Sequence, residues 1–203
     1  SDEVSSGLRF STGGAQQYLG VTPDMAVFAK SLSNGYPMAA VVGRRAVMEP
    51  AARMFISSTY WSDTIGLRAA LTTLREVRRR DVPGQLWRFG QALKSRLNDV
   101  AAEVGLDVQC TGVDVHPHLE FGIADPQLKS QVITLYIQEM AKRGCHGYAA
   151  FYLNAAQGDA ELAQTSEAAR ESFTVIRDAL ASHTVAQRLE CAQQQDAFRR
   201  LVR

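Results

Sequence analysis

The 203-residue sequence predicts an α/β layer followed by a smaller α+β domain. Two observations carry that prediction. Met25–Ala29 and Met38–Gly43 are apolar runs without polar alternation, separated by turn and helix signals, as in strands covered on both faces. Beyond residue 105, short strand candidates alternate with amphipathic helices, which is the texture of a small α+β unit.

In chain order, Gly13–Leu19 reads as a short helix, ended by the turn Gly20-Val21-Thr22-Pro23. The strand Met25–Ala29 stops at a single lysine, Lys30, and a loop of Ser, Asn, Gly and Pro follows. Met38–Gly43 is the second strand, expected to lie in a parallel sheet, and Arg45–Ala52 a short helix. Asp63 can cap a helix running to Arg79, with Ile65, Leu67, Ala69, Leu71, Leu74 and Val77 as its apolar stripe. Asp81-Val82-Pro83 breaks it. A second long helix spans Gly84–Val104, and Gly105 stops it. Leu106–Cys110 and Leu119–Ile123 are strand candidates around a His-Pro-His turn. Asp125-Pro126 opens a helix to about Arg143, stopped by Gly144. Ala149–Leu153 reads as a short strand, and Gly158-Asp159 starts a last helical stretch with its main body at Glu167–Ala181. His183–Arg203 is a polar, amphipathic tail with helical spacing.

Composition excludes several classes of function. A net charge of +1 gives no electrostatic case for nucleic acid or an anionic membrane. No apolar run is long enough to span a bilayer, so the default location is cytoplasmic. Cys110, Cys145 and Cys191 are odd in number and far apart, which argues against a disulfide framework or zinc site and for a reducing compartment. His116 and His118 share a face without a third ligand, so no metal site is expected.

Chemistry concentrates around Lys30. A lysine amine held among apolar groups loses its proton more easily and becomes a nucleophile toward carbonyl compounds. Upstream stands Asp2-Glu3-Val4, and downstream Ile56-Ser57-Ser58-Thr59-Tyr60-Trp61. A lysine, a carboxylate and a hydroxyl cluster are what pyridoxal phosphate needs for its aldehyde, ring nitrogen and phosphate. Each piece also has an ordinary reading. Asp2 can be a helix cap, Lys30 a solvated strand end, and Ser57-Ser58-Thr59 a polar turn.

The order and spacing of Asp2-Glu3-Val4-Ser5-Ser6-Gly7-Leu8-Arg9, Gly14-Ala15-Gln16-Gln17-Tyr18-Leu19-Gly20-Val21-Thr22-Pro23-Asp24 and Lys30 through Arg45 resemble the class III pyridoxal-phosphate aminotransferases. Within that family the chain is most similar to the glutamate-1-semialdehyde aminomutase branch. The match is continuous from residue 2 to about residue 75. The resemblance implies part of the fold type I large domain over residues 1–80, a small C-terminal domain over 81–182, and a helical tail over 183–203. It implies Lys30 as the Schiff-base lysine and acid/base, Asp2 as partner of the pyridinium nitrogen, and Val4 as a packing surface for the ring. Thr59 would reach the phosphate of a neighbouring subunit's cofactor, which implies a homodimer. The substrates would be a small amino donor and a carbonyl acceptor.

Departures from the family pattern are informative. The usual Gly-Asn-Pro after the threonine position reads Ser62-Asp63-Thr64, and Ala149 stands where the aminomutase branch has a glutamate. The family's long N-terminal half, with its phosphate loop and stacking aromatic, has no counterpart here, because only Ser1 precedes Asp2. The resemblance therefore implies either a piece of a longer protein or a half completed by a companion chain. Besides the aminotransferase, two readings stay open: an aminomutase and a non-catalytic half-fold subunit.

Overall fold

A computed structural model describes residues 1–61 and 63–193. The chain divides into two compact units, Ser1–Trp87 and Arg88–Arg203.

In the first unit, helix α1 (Ala15–Tyr18) precedes strand β1 (Met25–Phe28) and strand β2 (Ala40–Gly43). These strands pair antiparallel, Met25 opposite Gly43 and Phe28 opposite Ala40. This corrects the expectation of a covered parallel sheet. Only Ala26 of β1 is fully buried, and Val41 and Val42 are about half exposed. The parallel element is a bridge between Asp2 and Val27, with Glu3 N–H donating to Val27 O at 2.8 Å and Val27 N–H to Ser1 O at 3.0 Å. The apolar runs thus record what strands of this type require, whereas the described residues cover them on part of their surface only.

Helix α2 (Arg45–Met48) runs into a 3₁₀ turn at Glu49–Arg53 and then an exposed loop. Helix α3 (Thr64–Arg79) starts where Asp63 Oδ1 accepts the Ile65 N–H at 2.9 Å, an N-cap as expected. Its buried side differs from the predicted stripe. Gly66, Ala70 and Val77 face inward at helical spacing, while Ile65, Leu67 and Leu71 are exposed. Ile65 and Leu67 are two positions apart, about 200° around the axis, so they cannot share one face. Gly66 selects the inward side because an added Cβ would sit 2.5 Å from the Pro37 carbonyl oxygen. Phe10, Tyr18 and Trp87 form an aromatic cluster, and Trp87 Nε1–H donates to Phe10 O at 3.0 Å.

Helix α4 (Val82–Val104) takes Pro83 into its first turn, where the missing N–H costs nothing, and Gly105 (φ 73°) ends it. In the second unit, β3 (Val108–Thr111) and β4 (His118–Phe121) pair antiparallel. The predicted strand at 149–153 is an extended edge with one bridge, His118 to Ala150. Helix α5 (Pro126–Lys142) is capped by Asp125, whose side chain accepts the Gln127 N–H at 3.0 Å. Helix α6 (Asp159–Ala181) is continuous from the expected start at Gly158-Asp159, where the Glu161 carboxylate accepts the Gly158 N–H. Val100, Val115, Val132, Leu135, Phe173 and Ile176 are wholly inaccessible and form this unit's core. Tyr136 links Phe121 to Phe173 through ring contacts.

Of the tail, residues 183–193 are described. His183, at φ 55°, ends α6, and only Ala186–Arg188 takes a 3₁₀ turn before residue 193. Residues 194–203 lie outside the described residues.

Candidate active site

The site is built from two neighbouring segments, the one that carries Asp2 and the one that ends at Lys30. The Asp2–Val27 bridge lays the two segments side by side, and each leaves the extended conformation just beyond it, at the turn after Glu3 and at the 3₁₀ turn of Lys30–Leu32. Ser5 and Lys30 meet between these two turns. Lys30 Nζ donates to Ser5 Oγ at 2.5 Å. Lys30 itself takes φ 47°, a left-handed conformation that a non-glycine residue adopts at a cost, and such outliers cluster at functional positions.

The loop beyond Lys30 is held by local hydrogen bonds. Ser31 Oγ donates to Gly7 O at 3.0 Å, joining the two segments, and buried Ser33 donates to Tyr36 O. Asn34 and Gly35 both take positive φ, as an Asn-Gly turn requires.

Asp2 is exposed, and its Oδ1 accepts the Val4 N–H at 3.0 Å. Val4 is half-buried. Three of the four predicted residues, Asp2, Val4 and Lys30, therefore sit on two adjacent segments. Thr59 does not join them: it lies on the exposed loop after the 3₁₀ turn, with no described hydrogen bond to Asp2 or Lys30. The predicted apolar setting of the lysine amine is also corrected. Lys30 is exposed, because the left-handed turn carries it out of β1 and Ser5 is its described partner.

Sequence reasoning missed Glu3. It is 1% exposed, and its carboxylate accepts Ala15 N–H at 2.9 Å, Gln16 N–H at 2.8 Å, Ser1 Oγ–H at 3.2 Å, and Ser6 Oγ–H. Burial alone would raise its pKa. The hydrogen bonds from Ser6, Gln16, Ala15 and Ser1 overcome that effect and hold it below the usual carboxylate value. The signal was an acid next to Asp2, which the extended backbone at the bridge turns to the opposite side.

In the second unit, Lys94 donates to Gly112 O and Asp114 Oδ1, and the His116 ring meets Tyr152 edge-on. His118 Nε2 lies 3.1 Å from Glu120 Oε1. No group of three or more potential metal ligands occurs among the described residues, and no described helix is long and apolar enough to cross a membrane.

The family model described as Aminotransferase class-III matches residues 1–113. The chain belongs to the class III aminotransferases. Among curated relatives, it is 32% identical over 186 residues to a 3-aminobutyryl-CoA aminotransferase of Cloacimonas acidaminovorans, covering 88% of this chain and 44% of the relative. It is 39% identical over 119 residues to a glutamate-1-semialdehyde 2,1-aminomutase of Cenarchaeum symbiosum, covering 55% and 28%. Among solved structures, it matches the pyridoxal-phosphate internal aldimine form of the FumI protein of Sphingopyxis sp. MTA144. There the TM-score is 0.81 with 27% identity, over 89% of this chain and 44% of that one. This class III chain thus spans less than half the length of these relatives.

Proposed function

We propose that the protein carrying this chain is a pyridoxal-phosphate-dependent aminotransferase. Its reaction moves an amino group from an amine or amino acid to a carbonyl compound. The observation that carries this reading is the placement of Lys30 at the end of β1, beside the parallel segment that bears Asp2. An exposed amine and an exposed carboxylate on adjacent strand ends fit a ring held between a lysine and an acid. The family membership supports it further.

Lys30 Nζ would hold the aldehyde-bearing group, and Asp2 would keep a proton on the ring nitrogen. Pyridoxal phosphate, when bound, supplies the aldehyde and a ring that accepts electron density. As a free amine, Lys30 would take the proton from the substrate's α-carbon and give it up at the carbon that carried the cofactor's aldehyde. Ser5 gives that amine a hydrogen-bond partner, and Val4 offers an apolar surface to the ring. Thr59, on its exposed loop, would donate to a phosphate bound by a second subunit, so the working form is a homodimer. In this reading, residues 1–80 complete a large cofactor domain, 81–182 form the small domain, and the N-terminal half belongs to the same protein or a companion chain. Three free cysteines fit a reducing, cytoplasmic setting.

An aminomutase is the second reading, favoured by the 39% identity to the Cenarchaeum symbiosum enzyme. Ala149 in place of the branch's glutamate weighs against it. The experiment is borohydride reduction of the assembled protein with added pyridoxal phosphate, followed by peptide mass spectrometry. The cofactor mass is expected on Lys30. Colourless protein without the adduct overturns the enzymatic reading and leaves a half-fold interaction subunit. Requirement for a separate carbonyl acceptor then separates aminotransferase from aminomutase.

A further inference from the structure

No described hydrogen bond or ion pair joins Glu3 to Lys30, yet more of the first unit's described polar bonding converges on Glu3 than on either proposed site residue. Its carboxylate spans two segments of chain. On one side it takes the hydroxyls of Ser1 and Ser6, and on the other the backbone N–H groups of Ala15 and Gln16. Its backbone is fixed as well: Glu3 N–H bonds to Val27 O, and Glu3 O accepts the Gly7 N–H at 2.8 Å. The cradle around the carboxylate is shaped to it. An added Cβ on Gly14, already at φ 85°, would lie 2.6 Å from a Glu3 carboxylate oxygen. Gly7 is equally constrained, since a Cβ there would lie 2.6 Å from Glu3 O and 2.7 Å from the Phe28 ring.

The segment so fastened contains Asp2 and Ser5. Asp2 adjoins Glu3, and Ser5 holds the Lys30 amine. Ser31, the residue after Lys30, bonds to Gly7 of the same segment.

We propose that Glu3 is a positioning residue: its buried carboxylate locks the 1–8 segment so that Ser5 holds the Lys30 amine and Asp2 faces the same site. A carboxylate suits this task because all four partners donate. An amide at the same place would turn an NH₂ group against donors, which undoes part of the cradle without changing its size. The lock acts on Lys30 in this chain whether or not a cofactor binds. Its consequence for the cofactor rests on the function proposed above.

The test compares Glu3→Gln, Gly14→Ala and Ser5→Ala with the parent and with Val100→Ala, a core truncation in the second unit that lowers stability elsewhere. In cofactor-free protein, the rate of Lys30 acylation by a small anhydride is followed by peptide mass spectrometry across pH, with the other lysines as internal references. Release of the amine from Ser5 is expected to raise the Lys30 rate about tenfold in the three site variants and not in Val100→Ala. With pyridoxal phosphate present, Glu3→Gln is expected to weaken cofactor retention about tenfold and shift the pH midpoint of its visible absorbance. An unchanged Lys30 rate in folded Glu3→Gln and Gly14→Ala overturns the proposal, as does an equal rise in Val100→Ala. A raised Lys30 rate in protein that never takes up cofactor keeps the positioning role and overturns the aminotransferase reading instead.

Discussion

Ser5 and Lys30 are 25 positions apart, yet their side chains meet at 2.5 Å, just beyond the Asp2–Val27 bridge that lays their segments side by side. Backbone pairing brings the segments together, and the two turns that follow bring the proposed reactive amine to the hydroxyl.

Lys30→Ala removes an exposed side chain whose described contact is one hydroxyl. Turnover is expected to vanish while the thermal midpoint of the protein stays near that of the parent. Asp2→Asn keeps the shape but loses the anion, and kcat is expected to fall about a hundredfold or more. Steady-state assays with calorimetry check both, and full activity in Lys30→Ala would falsify the catalytic assignment.

Gly90 of α4 passes against the backbone of the loop before β4. An added Cβ would lie 1.6 Å from Asp114 O, which neither element can concede without moving. Gly90→Ala is expected to destabilise the protein by about 3 kcal/mol, toward the upper end for overpacking. Gly147→Ala is the control, because nothing lies within 4 Å of its added Cβ. Denaturant titration of the pair should show a difference of that size.

Glu139 is buried on α5 and accepts hydrogen bonds from Gln138, Lys142 and Arg143. Burial would raise its pKa, but the bonds from Arg143, Lys142 and Gln138 prevail and hold it below its ordinary 4.5. Its folded pKa being the lower one, its stabilisation is complete above the unfolded value and is lost as pH falls through the folded value. Glu139→Gln is therefore expected to be less stable than the parent at pH 7, by about 1–3 kcal/mol. The gap should narrow as pH falls out of the ordinary carboxylate range and through the lowered folded value. Urea melts at a series of pH values check the convergence.

The three free cysteines should react in a fixed order. Cys191 is exposed, whereas burial raises the thiol pKa of Cys145 and pushes that of Cys110 up to about 12, against a smaller opposing effect of Lys94. Near pH 8, a thiol-alkylating reagent is expected to label Cys191 first, Cys145 more slowly, and Cys110 only on unfolding. Peptide mapping over time reads the order.

Most of this fold was legible because it rests on signals a few residues long. Asp63 and Asp125 sit as helix caps, Gly105 and Gly144 stop α4 and α5 at positive φ, and the 108–121 hairpin follows the apolar runs on either side of Pro117. Illegible parts depend on what an element meets. The inward face of α3 follows from the room at Gly66 beside Pro37 O, and no periodicity in Ile65, Leu67 and Leu71 could reveal it. The strand sense was misread for a related reason. Unalternating apolar runs report burial on both faces, and burial carries no information about direction.

The sequence by itself determined the element order, the helix ends and the family likeness, since caps, glycine stops and apolar spacing act over a turn or two. Tertiary structure alone decided that Ser5 would hold Lys30, that Glu3 rather than its neighbours would be buried, and that Thr59 would stand apart. Those outcomes depend on strand register and on the donors that surround a carboxylate, and both are fixed by chain segments distant in sequence.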